Sequence, residues 1–469
     1  MIWKNIQQIG YLPKLLLGIL SLGLSVEVAF AGAFAIREQS ATSQGTSYSD
    51  AATCGTGKSI SSMYFNPAGV TCADSKSVTE SVNSLILPKS EITTNTAGTN
   101  PFTVGLGSPG DIGIDAFVGA SYGATRLTDN VFLGLAVNAP FGLRTKADVP
   151  HAGVFYAATS EVFSINFNPI IGFNWGDKFS FGAGLQAQYF DVRLTQAIPG
   201  LPGVPAAAVG GIELKAEDWG FGFTLGGMFR PFEGTEVGIG FRSGIKHTLD
   251  GALRGPVGFF AGNPALAPLA LTNSTGLTTE AKIRLPETLT LSLSQEVTDA
   301  LTLSASYEWT NWSVFDTFDV TSPQTATGAT GITLPFEYND GHFFAVGAEF
   351  QAMEKLALRA GIGYEISPID NSNRAIRLPD DDRLWLSAGA TYDPTDFLSF
   401  TGAYSFLTTF DTSINITPSN PIFNASAFAG PYSGSVDASV HIVSVSAKIK
   451  LDKVPFLKGL LDNGKDSLL

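Results

Sequence analysis

From residue 74 onward the chain alternates apolar and polar residues in short blocks, the period-two signature of β-strands. Phe179, Phe181, Ala183, Leu185, Ala187 and Tyr189 share one face of such a block, with Ser180, Gly182, Gly184, Gln186 and Gln188 on the other. The same division separates Leu301, Leu303, Ala305, Tyr307 and Trp309 from Thr302, Ser304, Ser306 and Glu308. It also separates Leu356, Leu358, Ala360, Ile362 and Tyr364 from Ala357, Arg359, Gly361, Gly363 and Glu365. One face is apolar and ends in an aromatic residue; the other is small and polar. The pattern predicts fourteen strands, near 77–88, 111–126, 131–140, 159–175, 178–193, 212–232, 236–250, 281–297, 301–310, 342–352, 355–366, 383–393, 397–408 and 439–451.

The connections sharpen this picture. Tight polar turns stand at 128–130, 176–178, 233–235, 298–300, 353–355 and 393–396, and every other connection is long and rich in Gly, Pro, Asn and Ser. Short and long connections alternate strictly, so all long loops leave one end of the structure. Outer-membrane barrels have this asymmetry and an even strand number. A soluble β-sandwich also alternates its side chains but has no reason to sort its loops by length. The expected fold is therefore all-β, a transmembrane antiparallel barrel of about fourteen strands.

Composition agrees. Of 469 residues 44% are hydrophobic and only 15% charged, with 51 glycines, while about 25% charged is usual for soluble domains. After residue 30 no run of 18 apolar residues occurs, which argues against helical spans. A closed sheet resolves the contrast, because it satisfies every backbone group in hydrocarbon and needs apolar residues only at alternate positions. Tyr189, Tyr307, Trp309, Tyr364 and Tyr392 suit the lipid–water boundary. A formal charge of −14 argues against nucleic acid as a partner.

Lys4 and Lys14 precede the apolar stretch Leu15–Val26, and Ala29-Phe30-Ala31 forms a small-x-small cleavage pattern. Residues 1–31 read as a secretory signal peptide, with Ala33-Phe34-Ala35 as the alternative cleavage pattern. Export to an oxidising compartment leaves Cys54 and Cys72 either bridged or as two free thiols.

Residues 32–73 lack the strand pattern and carry Gly32-Ala33-Phe34-Ala35-Ile36-Arg37-Glu38-Gln39-Ser40, then Gly45-Thr46-Ser47-Tyr48, then Asn66-Pro67-Ala68-Gly69. This stretch resembles the N-terminal hatch of the FadL-type long-chain fatty acid and hydrocarbon transporter family. Further similarity runs through Pro140-Phe141-Gly142-Leu143, Asn168-Pro169, Leu285-Pro286-Glu287, Glu308-Trp309-Thr310-Asn311-Trp312-Ser313, Arg359-Ala360-Gly361-Ile362-Gly363-Tyr364, and Arg377-Leu378-Pro379-Asp380-Asp381-Asp382. The resemblance implies a monomeric barrel in the outer membrane of a Gram-negative bacterium. It divides the chain into a hatch at 32–73 plugging the lumen, a barrel at 74–451 and a tail at 452–469. It further implies a passive channel in which a hydrophobic small molecule, a fatty acid or a hydrocarbon, binds in the lumen and leaves sideways into membrane lipid. The exit would be a kink in the third strand, at Asn138, Pro140, Phe141 and Gly142; the competing reading is that Pro140 simply ends the strand. Two features depart from the family pattern: the chain continues past its last strand, and Cys54 and Cys72 flank the Asn-Pro-Ala-Gly segment.

Motifs for chemistry are weak. Gly105-Leu106-Gly107-Ser108-Pro109-Gly110 opens no helix, and Gly119-Ala120-Ser121-Tyr122-Gly123 lies inside a strand. The four histidines, His151, His247, His342 and His441, lack zinc-ligand spacing, so no metal, cofactor or enzymatic activity is expected. Among the inward charges Arg359, Glu308, Glu349 and Glu365, the cation could meet a fatty carboxylate with the acids pairing to it, or all four could form a salt-bridge network that fills the lumen or holds the hatch. A surface adhesin acting through the long loops is the alternative from another functional class.

Overall fold

The computed structural model describes residues 33–455, apart from 56, 97–102, 104, 198–210, 256–275, 325–328 and 424–429. The expected signal peptide and most of the expected tail therefore lie outside the described residues.

The sheet is antiparallel and closed. Its fourteen strands are β1 (Ser77–Thr96), β2 (Ala116–Arg126), β3 (Val131–Asn138 and Gly142–Lys146), β4 (Thr159–Trp175), β5 (Phe179–Ala197), β6 (Gly211–Phe229) and β7 (Thr235–Arg242 and Ile245–Arg254). The second half comprises β8 (Leu277–Leu285 and Thr288–Thr298), β9 (Leu301–Thr310 and Thr317–Thr321), β10 (Ala329–Pro335 and Gly341–Met353), β11 (Leu356–Ile366), β12 (Arg383–Thr395), β13 (Leu398–Thr409 and Thr412–Ile416) and β14 (Tyr432–Lys450). Each strand pairs with its sequence neighbour, and β14 returns to β1 over the register Val78↔Lys450 to Thr94↔Gly434. Closure removes the free edges that a hydrocarbon environment would not tolerate. All six expected short turns are found at one end. There Asp452 accepts from Ser75 Oγ at 2.7 Å and Ser77 N at 3.0 Å, and Lys450 pairs with Asp74 at 2.6 Å, tying the end of β14 to the start of β1.

Several strands run further than the alternation suggested, and the reason is an inversion of polarity along a single strand. In β5 the outward residues Phe179, Phe181 and Leu185 are exposed and apolar, while Ser180, Gln186 and Gln188 are buried inward. Beyond Tyr189 the outward positions become Asp191, Arg193 and Thr195, and the inward ones become Phe190 and Val192. β6 repeats the inversion, with Trp219, Phe221 and Phe223 outward in one half and Ile212, Leu214 and Ala216 inward in the other. The first half faces hydrocarbon; the second rises into water, where only the inside can hide apolar surface. Tyr189, Tyr307 and Tyr364 mark the crossover, each with its hydroxyl on a polar partner: Glu217 at 2.6 Å, His342 at 2.9 Å and Asp382 at 2.9 Å. Tyr392 stands half exposed at the turn end.

The barrel interior as a candidate functional site

Residues 33–73 pack against the inward face of the strands. Asn66 caps a 3-10 turn at Pro67–Cys72, its Oδ1 accepting from Ala68 N at 3.0 Å while its Nδ2 donates to Ala52 O at 2.7 Å and Gly227 O at 3.1 Å. Pro67 suits the first helical position because its missing N–H would be unpaired there. At Gly69 an added Cβ would lie 2.4 Å from Ser62 Oγ and 2.8 Å from Met63 N, so no larger residue fits. The wall is shaped to match. A Cβ at Gly240 would meet Phe65 O at 1.9 Å, one at Gly182 would meet Ala68 N at 2.3 Å, and one at Gly361 would meet Thr46 C at 2.1 Å. Cys54 and Cys72 are joined by a disulfide that closes the stretch around Asn66.

The charges singled out from sequence fall into two groups. Glu308 and Glu365 both face Arg37 of the packed segment, at 2.7 Å and 3.6 Å, and its guanidinium lies 3.8 Å from the Phe343 ring centroid. Arg359 instead pairs with Glu349 at 2.5 Å and donates to Thr391 at 2.6 Å, close beside Gly45 and Gly57 of the packed segment. Glu38 is different. It is buried, and neither carboxylate oxygen takes a hydrogen bond from another residue. Burial pushes its carboxyl up to about 7, a rise that Arg37 and Arg383 reduce and Glu365 reinforces.

β3 does not end at Pro140; it breaks at 139–141 and resumes at Gly142 against β4. Asn138 stays buried beside Asn166, whose Nδ2 donates to its Oδ1 at 3.3 Å. The ladder with β2 stops at Ser121↔Val137 and the next contact is the bridge Gly113↔Thr145, so residues 114–120 and 138–144 border a gap in the wall. The N-terminal segment backs this gap from within: Ile36 N donates to Pro140 O and Gly142 N to Phe34 O, each at 2.8 Å. The Phe34 ring packs on Phe141, Trp312 and Phe315 at centroid distances of 5.9, 4.7 and 5.1 Å. These rings belong to a large buried apolar cluster that extends to Phe190, Leu249 and Leu285.

Between this cluster and the packed segment lies a cavity of about 50 Å³, lined in part by Ile36, Phe65, Phe141, Phe343 and Arg242. Arg242 is the functional candidate that sequence reasoning missed. It donates to Tyr64 O at 3.0 Å and to Gln186 Oε1, and stacks 4.3 Å from the Tyr64 ring centroid, with no ion-pair partner among the described residues. Its signal was its parity: with Gly238 and Gly240 it falls on the inward face, opposite Val237, Ile239 and Phe241. His151, in the loop after β3, is buried and bonded to the backbone of Gly153 and Ala157; burial pushes its imidazole down to about 4.

Residues 23–451 match the family described as outer membrane protein transport protein (OMPP1/FadL/TodX). The chain belongs to this family. Its members are outer-membrane transport proteins, not enzymes, which places the chain in the outer membrane. It is 27% identical over 293 residues to the long-chain fatty acid transport protein of Escherichia coli O6:H1, covering 57% of this chain and 64% of that protein. The match thus spans just under two thirds of that relative. It is 27% identical over 418 residues to outer membrane protein P1 of Haemophilus influenzae, covering 81% of this chain and 86% of that one. In structure it resembles a Pseudomonas aeruginosa FadL homologue, with TM-score 0.75 and 24% identity over 90% of this chain and 100% of the other. It also resembles the Ralstonia pickettii toluene transporter TbuX, with TM-score 0.55 and 16% identity over 83% and 94%.

Proposed function

We propose that this chain is a monomeric channel for passive uptake of hydrophobic molecules across the outer membrane, with long-chain fatty acids as its cargo. Residues 33–73 act as the hatch, and cargo leaves sideways through the β2–β3 gap. The observation that carries the fatty-acid reading is Arg242, a buried guanidinium with no ion-pair partner among the described residues, on the wall of a cavity whose other charges, Arg37, Glu308 and Glu365, already pair with one another. A buried cation gains from an anionic ligand, and a bidentate guanidinium suits a carboxylate. Glu308 and Glu365 hold the hatch through Arg37 in this reading, while Arg359 and Glu349 neutralise each other beside it. Lateral release keeps the acyl chain out of water, at roughly 0.8 kcal/mol per methylene. The cavity is too small for an acyl chain, so Phe34 and its neighbours must move for cargo to reach the gap.

Hydrocarbons are the second reading, favoured by the likeness to proteins described as toluene transporters. Uptake of labelled oleate and of toluene by cells with the chain, with its Arg242→Leu variant or with neither separates the two. Oleate uptake should fall about tenfold in the variant while toluene uptake holds. Equal oleate uptake by the variant would remove the role of Arg242, and no uptake above cells lacking the chain would remove the channel.

A further inference from the structure

The wall has a second break. β8 and β9 pair up to Thr288↔Thr310, Asn311 N donates to Glu287 O at 3.0 Å, and pairing resumes only at Ala281↔Val320. Residues 282–286 and 312–319 between these points have no ladder contacts with each other. A crevice of about 340 Å³ occupies the break. Phe315, Phe318 and Phe336 line it on the β9–β10 side, and Phe315 continues inward to Phe34 at 5.1 Å. Lys246, Lys282 and Arg284 line it on the β7–β8 side.

The placement of the three cations is unusual. Lys246 stands directly opposite Arg284 in the β7–β8 register, on the outward face, where like charges repel. It is the next outward strand residue after Phe241, and Arg284 the last before Leu289, so both sit where the apolar belt meets the polar zone of the lipid heads. Glu280 pairs with Lys282 at 3.5 Å and Glu287 with Arg284 at 3.1 Å, whereas Lys246 has no ion-pair partner among the described residues. Asp316 is the carboxylate in the lining that faces them across the crevice, so with Lys282 and Arg284 already paired it is Lys246 that stands without an anion among the described residues.

We propose that the β8–β9 crevice is a second lateral site, at which a long-chain fatty acid already dissolved in the outer leaflet docks. Its carboxylate is held by Lys246, Lys282 and Arg284, and its chain lies on Phe315 and Phe336. The site rests on the fatty-acid channel reading and adds an entrance to it: from Phe315 the path runs through Phe34 to Phe141 at the β2–β3 gap. Cargo would then cross the barrel from wall to wall without passing through water.

The test is photolabelling of the full chain in outer-membrane vesicles with diazirine-bearing palmitate or diazirine-bearing hexadecane, mapped by peptide mass spectrometry. Palmitate should label 314–318 and Phe336, and replacing Lys246, Lys282 and Arg284 together by glutamine should lower that labelling about tenfold. Heat-modified gel mobility confirms that the variant barrel is folded. Label there that is unchanged in the variant, or equal for hexadecane, overturns the charged site. Complete displacement by added lipid A also overturns it, in favour of a headgroup anchor. Label confined to residues beside Arg242 overturns the crevice and leaves the channel standing, whereas label in neither place removes both.

Discussion

Replacing Gly240 by alanine probes the fit between the barrel wall and the N-terminal segment. The new Cβ would lie 1.9 Å from Phe65 O and 2.8 Å from Asn66 Cα, both backbone atoms, so no side-chain rotation relieves the clash. Reaching ordinary contact at about 3.4 Å requires the segment to retreat by roughly 1.5 Å. That movement breaks two bonds between segment and wall, Asn66 Nδ2 to Gly227 O and Arg242 to Tyr64 O. With about 1 kcal/mol for the first, about 2 for the charged second, and 1–3 for overpacking, the seated state loses about 4–6 kcal/mol. The strands themselves lose nothing, since alanine is at least as good as glycine within a strand. Amide hydrogen exchange at residues 60–72 should therefore rise by roughly three to four orders of magnitude, while exchange in β5 and β12 stays at the wild-type rate. Gly402→Ala is the matched control, because Gly402 faces outward with no atom within 4 Å of its added Cβ. Wild-type exchange at 60–72 in the Gly240 variant would refute the fitted seat, and so would melting of the whole barrel.

Three further outcomes follow from the same structure. Glu38 holds its proton up to about 7 in the seated segment and to about 4.3 when released, so seating binds an extra proton between those values. Its stability is full below about 4.3 and falls by up to about 4 kcal/mol as pH rises through 7; proteolysis of the segment at pH 5 and 8 should show this, and Glu38→Gln should flatten it. Opening the Cys54–Cys72 bridge, which spans 18 positions, should cost the segment about 3 kcal/mol, read as faster exchange at 54–72 in the double serine variant with the barrel's urea midpoint unchanged. Leu185→Arg on the lipid face should destabilise the barrel by roughly 2–4 kcal/mol in urea titrations, whereas Thr248→Arg, above the apolar belt, should change it by less than about 1 kcal/mol.

Much of the architecture was legible in the chain because side-chain direction alternates residue by residue in a strand, and membrane burial demands one polarity on each face. The six tight turns and the strand count follow from that local rule, as do the inward positions of Arg359, Glu308, Glu349 and Glu365. The inversion of polarity beyond Tyr189 and Glu217 escaped it, since a strand leaving the bilayer keeps its period while exchanging its faces. Arg242 was legible only by parity, since the cavity beside it is assembled from residues far apart in the chain.

Sequence by itself determined that this chain is a closed, membrane-embedded sheet with a non-strand segment before it, for those are statements about neighbours along the chain. Only the tertiary structure decided which charges meet. Arg37 faces Glu308 across 271 positions and Arg359 takes Glu349, so one cation secures the N-terminal segment, another is neutralised beside it, and Arg242 is left to face the cavity. Such partnerships depend on how far a strand is sheared and where a ladder breaks, as at Pro140 and Pro286. Those are set by closure of the whole barrel around its contents, and no window of sequence contains them.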